Sequence, residues 1–269
     1  MTETAGLVLA YSCTVENWRG VADAYRRSFA TLCAGTFPTI LADLELGRLL
    51  DIGCGTGDLL VEAGRRGFDV TGADADVAMV RTARTMARCP VVTASLPHLP
   101  FPDDAFDSIV ANFVINHVPD PRAALDELKR VVAPGGLVAV SIWPAGGSAW
   151  SQLVNDSFLG AGVSSRPSTQ LPEELDFPRT PEGLSGITVA AGFHIVSARD
   201  LRWAWQITPN DLWAGISGGI ANAGMTYRAQ PPRTQQRVRQ EFTTRATQLA
   251  GDDDLLHIDT NAVYVLARG

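Results

Sequence analysis

The stretch LLDIGCGTGDLL, residues 49–60, decides how the rest of this chain is read. An apolar run ends in the acid Asp51 before Ile52, the glycines Gly53, Gly55 and Gly57 follow on alternate positions, and a helix-like pattern then begins. Glycines placed this way let a backbone turn sharply from strand to helix and let a ligand approach the main chain. A dinucleotide fingerprint needs a further glycine three positions after its second. Counted from Gly53 and Gly55 that position is Asp58, and counted from Gly55 and Gly57 it is Leu60, so both registers fail. Asp51 and Asp58 also flank the loop with negative charge, which opposes a pyrophosphate on the helix N-terminus. A ligand with cationic groups and a ribose suits the loop better.

Outward from this loop the pattern alternates. Residues 18–33 carry Val21, Tyr25, Phe29 and Leu32 at a helical period, with arginines on the other face. Residues 49–52 read as a buried strand, 58–66 as a helix stopped by Gly67, and 68–74 as a second strand ending in Asp74. A helix over 76–87 is capped by Asp76 and turns Val77, Val80, Ala83 and Met86 inward. A third strand covers 91–94, FDSIVANFVI contains a fourth, and Pro121 opens a helix through Val132. The turn 133–136 leads to a fifth strand in LVAVSIW. Residues 144–178 read as a loop-helix-loop insertion, and Thr180-Pro181-Glu182 starts a helix that Gly192 stops before the strand FHIVSARDLRWAW. A capped helix at 208–211, a polar helix over roughly 231–249 and the strand NAVYVLAR complete the chain. This alternation predicts a doubly wound α/β fold, a mostly parallel seven-stranded sheet with helical cap insertions. In such sheets ligands bind beyond the carboxyl ends of the strands, where the glycine loop and Asp74 would meet.

At 269 residues, 46% hydrophobic and 19% charged, the chain has the material for a sizeable core in one domain. A net charge of −7 argues against a nucleic-acid or anionic-membrane surface. No stretch reaches the roughly 18 uncharged apolar residues of a membrane span. The N-terminal MTETAGLVLAYSC has an acid where a secretory signal carries basic residues. Cys13, Cys33, Cys54 and Cys89 show no paired metal spacing, and Cys54 reads as a small reduced filler in the loop. The expectation is a cytoplasmic monomer or homodimer with a small-molecule partner and no metal, nucleic acid or membrane.

Three signals in order make the chain resemble the class I S-adenosylmethionine (SAM) dependent methyltransferases, in the small-molecule branch built on a type-11 methyltransferase domain. They are the glycine loop, Asp74 placed 21 residues after Gly53, and LPFPDDAFDSIVANFVINHVPDPRAALDELKRVVAPGG from Leu99 to Gly136. The resemblance is continuous over residues 45–143 and loose beyond. It implies a Rossmann-like methyltransferase fold with its SAM-binding core at about 40–143. The segment 1–39 and insertions within 144–258 would form a substrate cap.

It also implies roles. Asp74 would accept both ribose hydroxyls, against the alternative of a solvated turn acid. The amides of Gly53, Cys54, Gly55 and Gly57 would pack on the amino-acid part, with Asp51 near its ammonium or holding the loop amides. Ala75 would contact the cofactor and Met79 would lie under the adenine, although Met79 equally suits a core. The family usually has an acid after strand three; Ser95 stands there, beside Leu96, and a hydroxyl without charge should discriminate less sharply. Asn112 and Phe113 would face the methionine portion, or Asn112 would only satisfy the strand end. Tyr25 matches a tyrosine that relatives place over the SAM carboxylate, though it also fits the helix stripe. His117 is a tentative general base or a structural histidine. His194 falls in a strand and His257 in a late loop, neither with a motif behind it.

Trp143 and Trp150 after strand five, Trp203 and Trp205 on the sixth, and Trp213 on the capped helix point as a set to an apolar acceptor pocket, or to a cap core. The function expected is SAM-dependent methyl transfer to an O, N or C nucleophile of a small, apolar or aromatic metabolite, leaving S-adenosylhomocysteine. A SAM-binding protein of this fold without methyl transfer, a binding module or cyclase-like enzyme, is the alternative. A nicotinamide dehydrogenase is a third.

Overall fold

The computed structural model describes residues 20–165 and 171–269. The N-terminal segment with Cys13, and residues 18 and 19 of the first expected helix, lie outside the described residues. Strands β1 (Arg48–Ile52), β2 (Asp69–Asp74), β3 (Val91–Thr93), β4 (Phe106–Asn112), β5 (Val132–Ile142), β6 (His194–Ile207) and β7 (Leu256–Arg268) form one sheet in the order β3-β2-β1-β4-β5-β7-β6. β7 runs antiparallel to both its neighbours, and the other paired strands are parallel. The order reverses between β1 and β4, so their carboxyl ends open a crevice.

The helices are α1 (Ala22–Arg27), α2 (Phe29–Cys33), α3 (Phe37–Asp43), α4 (Asp58–Arg65), α5 (Val77–Ala87), α6 (Pro121–Val131), α7 (Ala149–Gly160), α8 (Pro181–Ala190), α9 (Pro209–Ser217), α10 (Ala221–Arg228) and α11 (Pro232–Leu249). Leu50 and Ile52 of β1 pack with Leu125 and Leu128 of α6 and with Leu184 of α8. Leu49, one residue off, turns to the opposite core with Ile40 of α3, Leu60 of α4 and Val80 of α5. Burial on both faces explains why β1 reads as an unbroken apolar run. A third apolar cluster joins α1 and α2 to α7, α9, α11 and the tips of β6 and β7.

Local chemistry sets the helix starts as expected. Asp76 accepts the amides of Ala78 and Met79 at 2.9 and 3.0 Å, Asp120 caps α6 with Pro121 next to it, and Thr180 and Thr208 cap α8 and α9.

Several expectations are corrected. The helix over 18–33 is broken at Ser28, where φ −122° and ψ −92° leave helical space. The Ser28 hydroxyl donates back to the Ala24 carbonyl at 2.6 Å, and its buried side chain lies against Gly215. On α5 the inner face is Met79, Val80 and Ala83; Val77 is 69% exposed because the chain has only just left its cap. The turn at 133–136 is absorbed into β5 as an irregularity, with Phe106 opposite Val132 and Ser108 opposite Leu137. His257 stands on β7 rather than in a loop, and its Nε2 pairs with Asp253 at 2.9 Å. α3 and α10 were not anticipated.

Candidate active site

The loop between β1 and α4 is held by β2. The Gly53 and Cys54 amides both donate to the Ala73 carbonyl, at 2.7 and 3.0 Å. The Gly55 amide donates to Asp74 Oδ2 at 2.8 Å, and the Gly57 amide closes the turn on the Cys54 carbonyl at 2.9 Å. Gly57 sits at φ +87°, and a Cβ there would lie 3.0 Å from Ala83 Cα, so a side chain at this position is both strained and crowded between α4 and α5. Asp51 therefore does not hold these four amides. It is buried, makes no side-chain hydrogen bond to a described residue, and burial beside Asp74 and Asp58 pushes its carboxyl well above the usual range.

Asp74 is half-buried at the end of β2. Oδ2 takes the Gly55 amide and Oδ1 the Asp76 amide at 2.9 Å. A carboxylate has about four lone-pair sites, so two remain for a diol. Burial raises its pKa above the ordinary value, and those amides partly offset the rise.

A cavity of about 370 Å³ opens beside this acid. Tyr25, Gly53, Gly55, Asp74, Ala75, Met79, Ser95, Leu96, Asn112, Phe113 and His117 all border it. Asp51, Cys54 and Gly57 are not part of its lining. The Tyr25 ring lies about where a Gly55 side chain would be, 3.2 Å from its ideal Cβ, and its hydroxyl meets Cys33 Sγ at 3.7 Å. Asn112 Oδ1 accepts from the hydroxyls of Thr36, at 3.0 Å, and Ser141, which fixes the side chain at the crevice floor. Phe113 is forced to φ +59° just past β4, and its ring stacks on Trp143 at 3.8 Å and 12°. His117 is exposed by area yet walled by protein, and that desolvation holds its imidazole below the usual histidine range.

Of the tryptophans, Trp143 and Trp150 border the cavity. Trp203 lies on Gly35, Trp205 donates to Thr31 Oγ1 at 2.9 Å, and Trp213 packs on Tyr227 and Phe242. Those three belong to the packing of the third cluster. Phe29, Leu32, Cys33, Ile220 and Ala221 also border the cavity, although the sequence marks none of them as site residues. For Phe29 and Leu32 the helical stripe was a usable signal; for Ile220 and Ala221 there was none. Among the described residues no group of three or more His, Cys, Asp or Glu could hold a metal ion, and no helix is long and apolar enough to cross a membrane.

A loop-and-acid crevice at the switch point of such a sheet marks the ligand-binding end of a doubly wound α/β protein. Comparison with known proteins makes this narrower. The methyltransferase-domain family matches residues 50–140. A demethylmenaquinone methyltransferase of Thermus thermophilus is 35% identical over 164 residues, 55% of this chain and 74% of that protein. The demethylmenaquinone methyltransferase of Clavibacter sepedonicus is 32% identical over 168 residues, 57% of this chain and 68% of its own. The solved structure of the cyclase SpnF matches with a TM-score of 0.52 at 22% identity, covering 87% of this chain and 81% of that one, and so shares the fold. The chain belongs to the class I SAM-dependent methyltransferases.

Proposed function

We propose that this enzyme transfers a methyl group from SAM to an O, N or C nucleophile of a small, apolar or aromatic metabolite. The observation that carries the reading is the joining of Asp74 and the aromatic pair Phe113–Trp143 in one cavity. The bound cofactor supplies a methyl carbon already activated by its sulfonium. Asp74 accepts the ribose hydroxyls with the lone pairs that Gly55 and Asp76 leave, while Met79 and Leu96 supply apolar surface for the adenine and Ser95 a hydroxyl for its amino group. Gly53 and Gly55 present backbone to the amino-acid end under Tyr25. Asn112, tied to Thr36 and Ser141, keeps the floor rigid beneath the reacting groups.

The protein's main contribution is to hold acceptor and methyl carbon about 3 Å apart in a dry site. His117, uncharged at neutral pH, takes a proton from the acceptor where one must leave. The chain is read as one domain in which α1, α2, α7 and α9 to α11 cap the acceptor. The demethylmenaquinone methyltransferases among its relatives make a quinol-type ring the first acceptor to try. Incubation with methyl-labelled SAM and a panel of phenolic, quinol and amine acceptors should yield labelled product with equimolar S-adenosylhomocysteine. Tight SAM binding with no label transferred to any of them would favour a binding or cyclase-type role.

A further inference from the structure

One wall of the cavity is a turn with an unusual backbone. Gly218, Gly219, Ile220 and Ala221 lead from α9 into α10, and Ile220 and Ala221 border the cavity. Ala221 sits at φ +53°, a left-handed conformation disfavoured for a residue with a Cβ. The turn is nonetheless clamped. Ile220 N donates to the Gly215 carbonyl at 3.2 Å, Gly218 N to the Ala214 carbonyl at 2.8 Å, and Gly224 N to the Ile220 carbonyl at 2.9 Å. A Cβ on Gly224 would lie 2.2 Å from the Gly219 carbonyl carbon, so α10 presses directly on the turn. Strain that packing over-determines in this way is found where a chain must hold a position against a ligand.

The same unit is seated on α1 and α2. A Cβ on Gly215 would be 2.5 Å from Ser28 Oγ and 2.8 Å from the Phe29 ring, and one on Gly218 would be 2.3 Å from Ala24 Cβ. Phe29 meets Trp150 edge-on at 4.9 Å. Phe29, Trp150, Ile220 and Ala221 thus make one braced apolar wall. Among the described residues no lysine or arginine borders the cavity, and its carboxylates, Asp74 and Asp76, both stand at the β2 end. An anionic acceptor would be desolvated there without a partner.

We infer that Ala221, with Ile220 beside it, is a specificity-determining residue that sets the size of an uncharged, ring-bearing acceptor; the inference rests on the methyltransferase reading above. Ala221 borders the cavity with a side chain of one carbon. A longer one there takes its volume from the acceptor, whereas truncating Ile220 adds room.

Binding of 2-naphthol and phenol, followed by fluorescence with S-adenosylhomocysteine present, tests this. Ala221→Leu should weaken 2-naphthol by about tenfold or more while phenol and S-adenosylhomocysteine stay within about twofold, the scale on which single methylenes count in an apolar pocket. Ile220→Ala should bind the three-ring anthracen-2-ol better than the wild type does. Ala221→Gly should hold or raise the melting temperature, since glycine relieves the left-handed backbone. The inference is overturned if Ala221→Leu binds 2-naphthol like the wild type, or if the wild type binds 3-hydroxy-2-naphthoate as well as 2-naphthol or binds neither. Should Ala221→Leu not fold, no gain for anthracen-2-ol in Ile220→Ala overturns it equally. Failure of the wild type to bind S-adenosylhomocysteine would instead strike the methyltransferase reading itself.

Discussion

Asp74 accepts the Gly55 amide at 2.8 Å, so the acid that ends β2 and the glycine loop that follows β1 are one structural unit. Any group that binds Asp74 is thereby positioned against the loop. Asp74→Ala should weaken SAM affinity by about 1.5–3 kcal/mol, the worth of hydrogen bonds to a charged acceptor. It should also lower the melting temperature of the free protein, because the Gly55 and Asp76 amides lose their partner. Titration calorimetry and a thermal melt on the same preparation check both; unchanged affinity would place the ribose elsewhere.

Asp51 should cost the free protein stability at neutral pH. Burial, then Asp74 and Asp58, raise its folded pKa, so the folded state holds this proton more tightly than the unfolded chain. Its stabilising contribution is complete below the unfolded pKa of about 3.9 and is lost as pH rises through the higher folded value. Asp51→Asn removes that loss and should be the more stable protein at pH 7, with the two converging near pH 4. Urea denaturation at both pH values decides it; a less stable variant at pH 7 would show the carboxylate to be needed.

His117 carries the opposite sign. Its folded pKa is depressed by desolvation, so its contribution is present above the unfolded value of about 6.5 and fades as pH falls toward the folded one. The imidazole should titrate below 6.5 by NMR and be a neutral base throughout the working range. His117→Gln should lower kcat/KM by about 10²-fold with SAM affinity unchanged. Full activity in that variant would leave the histidine a wall residue.

Gly57→Ala should destabilise the fold without touching the cavity. The left-handed backbone alone costs about 1–2 kcal/mol for an L residue, and the 3.0 Å approach to Ala83 adds a clash with α5 backbone. A drop in denaturation midpoint is expected. Wild-type stability would mean that α4 and α5 can separate at no cost.

What the chain reveals in advance is mostly local. The caps at Asp76, Thr180 and Thr208, the helix start at Pro121 and the apolar runs of the strands mark the core and the position of the crevice. α3 was also readable, since Phe37, Ile40, Leu41 and Leu44 follow a helical spacing and Pro38 suits a first turn. α10 was not: of its eight residues only Gly224 and Thr226 are buried, so no apolar stripe marks it. The rest of the site depends on contacts distant in sequence. Asn112 is held by Thr36 and Ser141, and Tyr25 reaches the loop from another element, so their spacing carries no signal. Trp203, Trp205 and Trp213 show the same limit, because composition shows aromatic mass without showing which rings face the cavity.

The central claim is that this crevice was shaped to hold an adenosyl sulfonium cofactor. Parallel calorimetric titrations of the full chain with S-adenosylhomocysteine and with NAD test it most directly. One-to-one binding of S-adenosylhomocysteine that Asp74→Ala weakens, with no heat from NAD, is the predicted result. Tight NAD binding with no response to S-adenosylhomocysteine would contradict it.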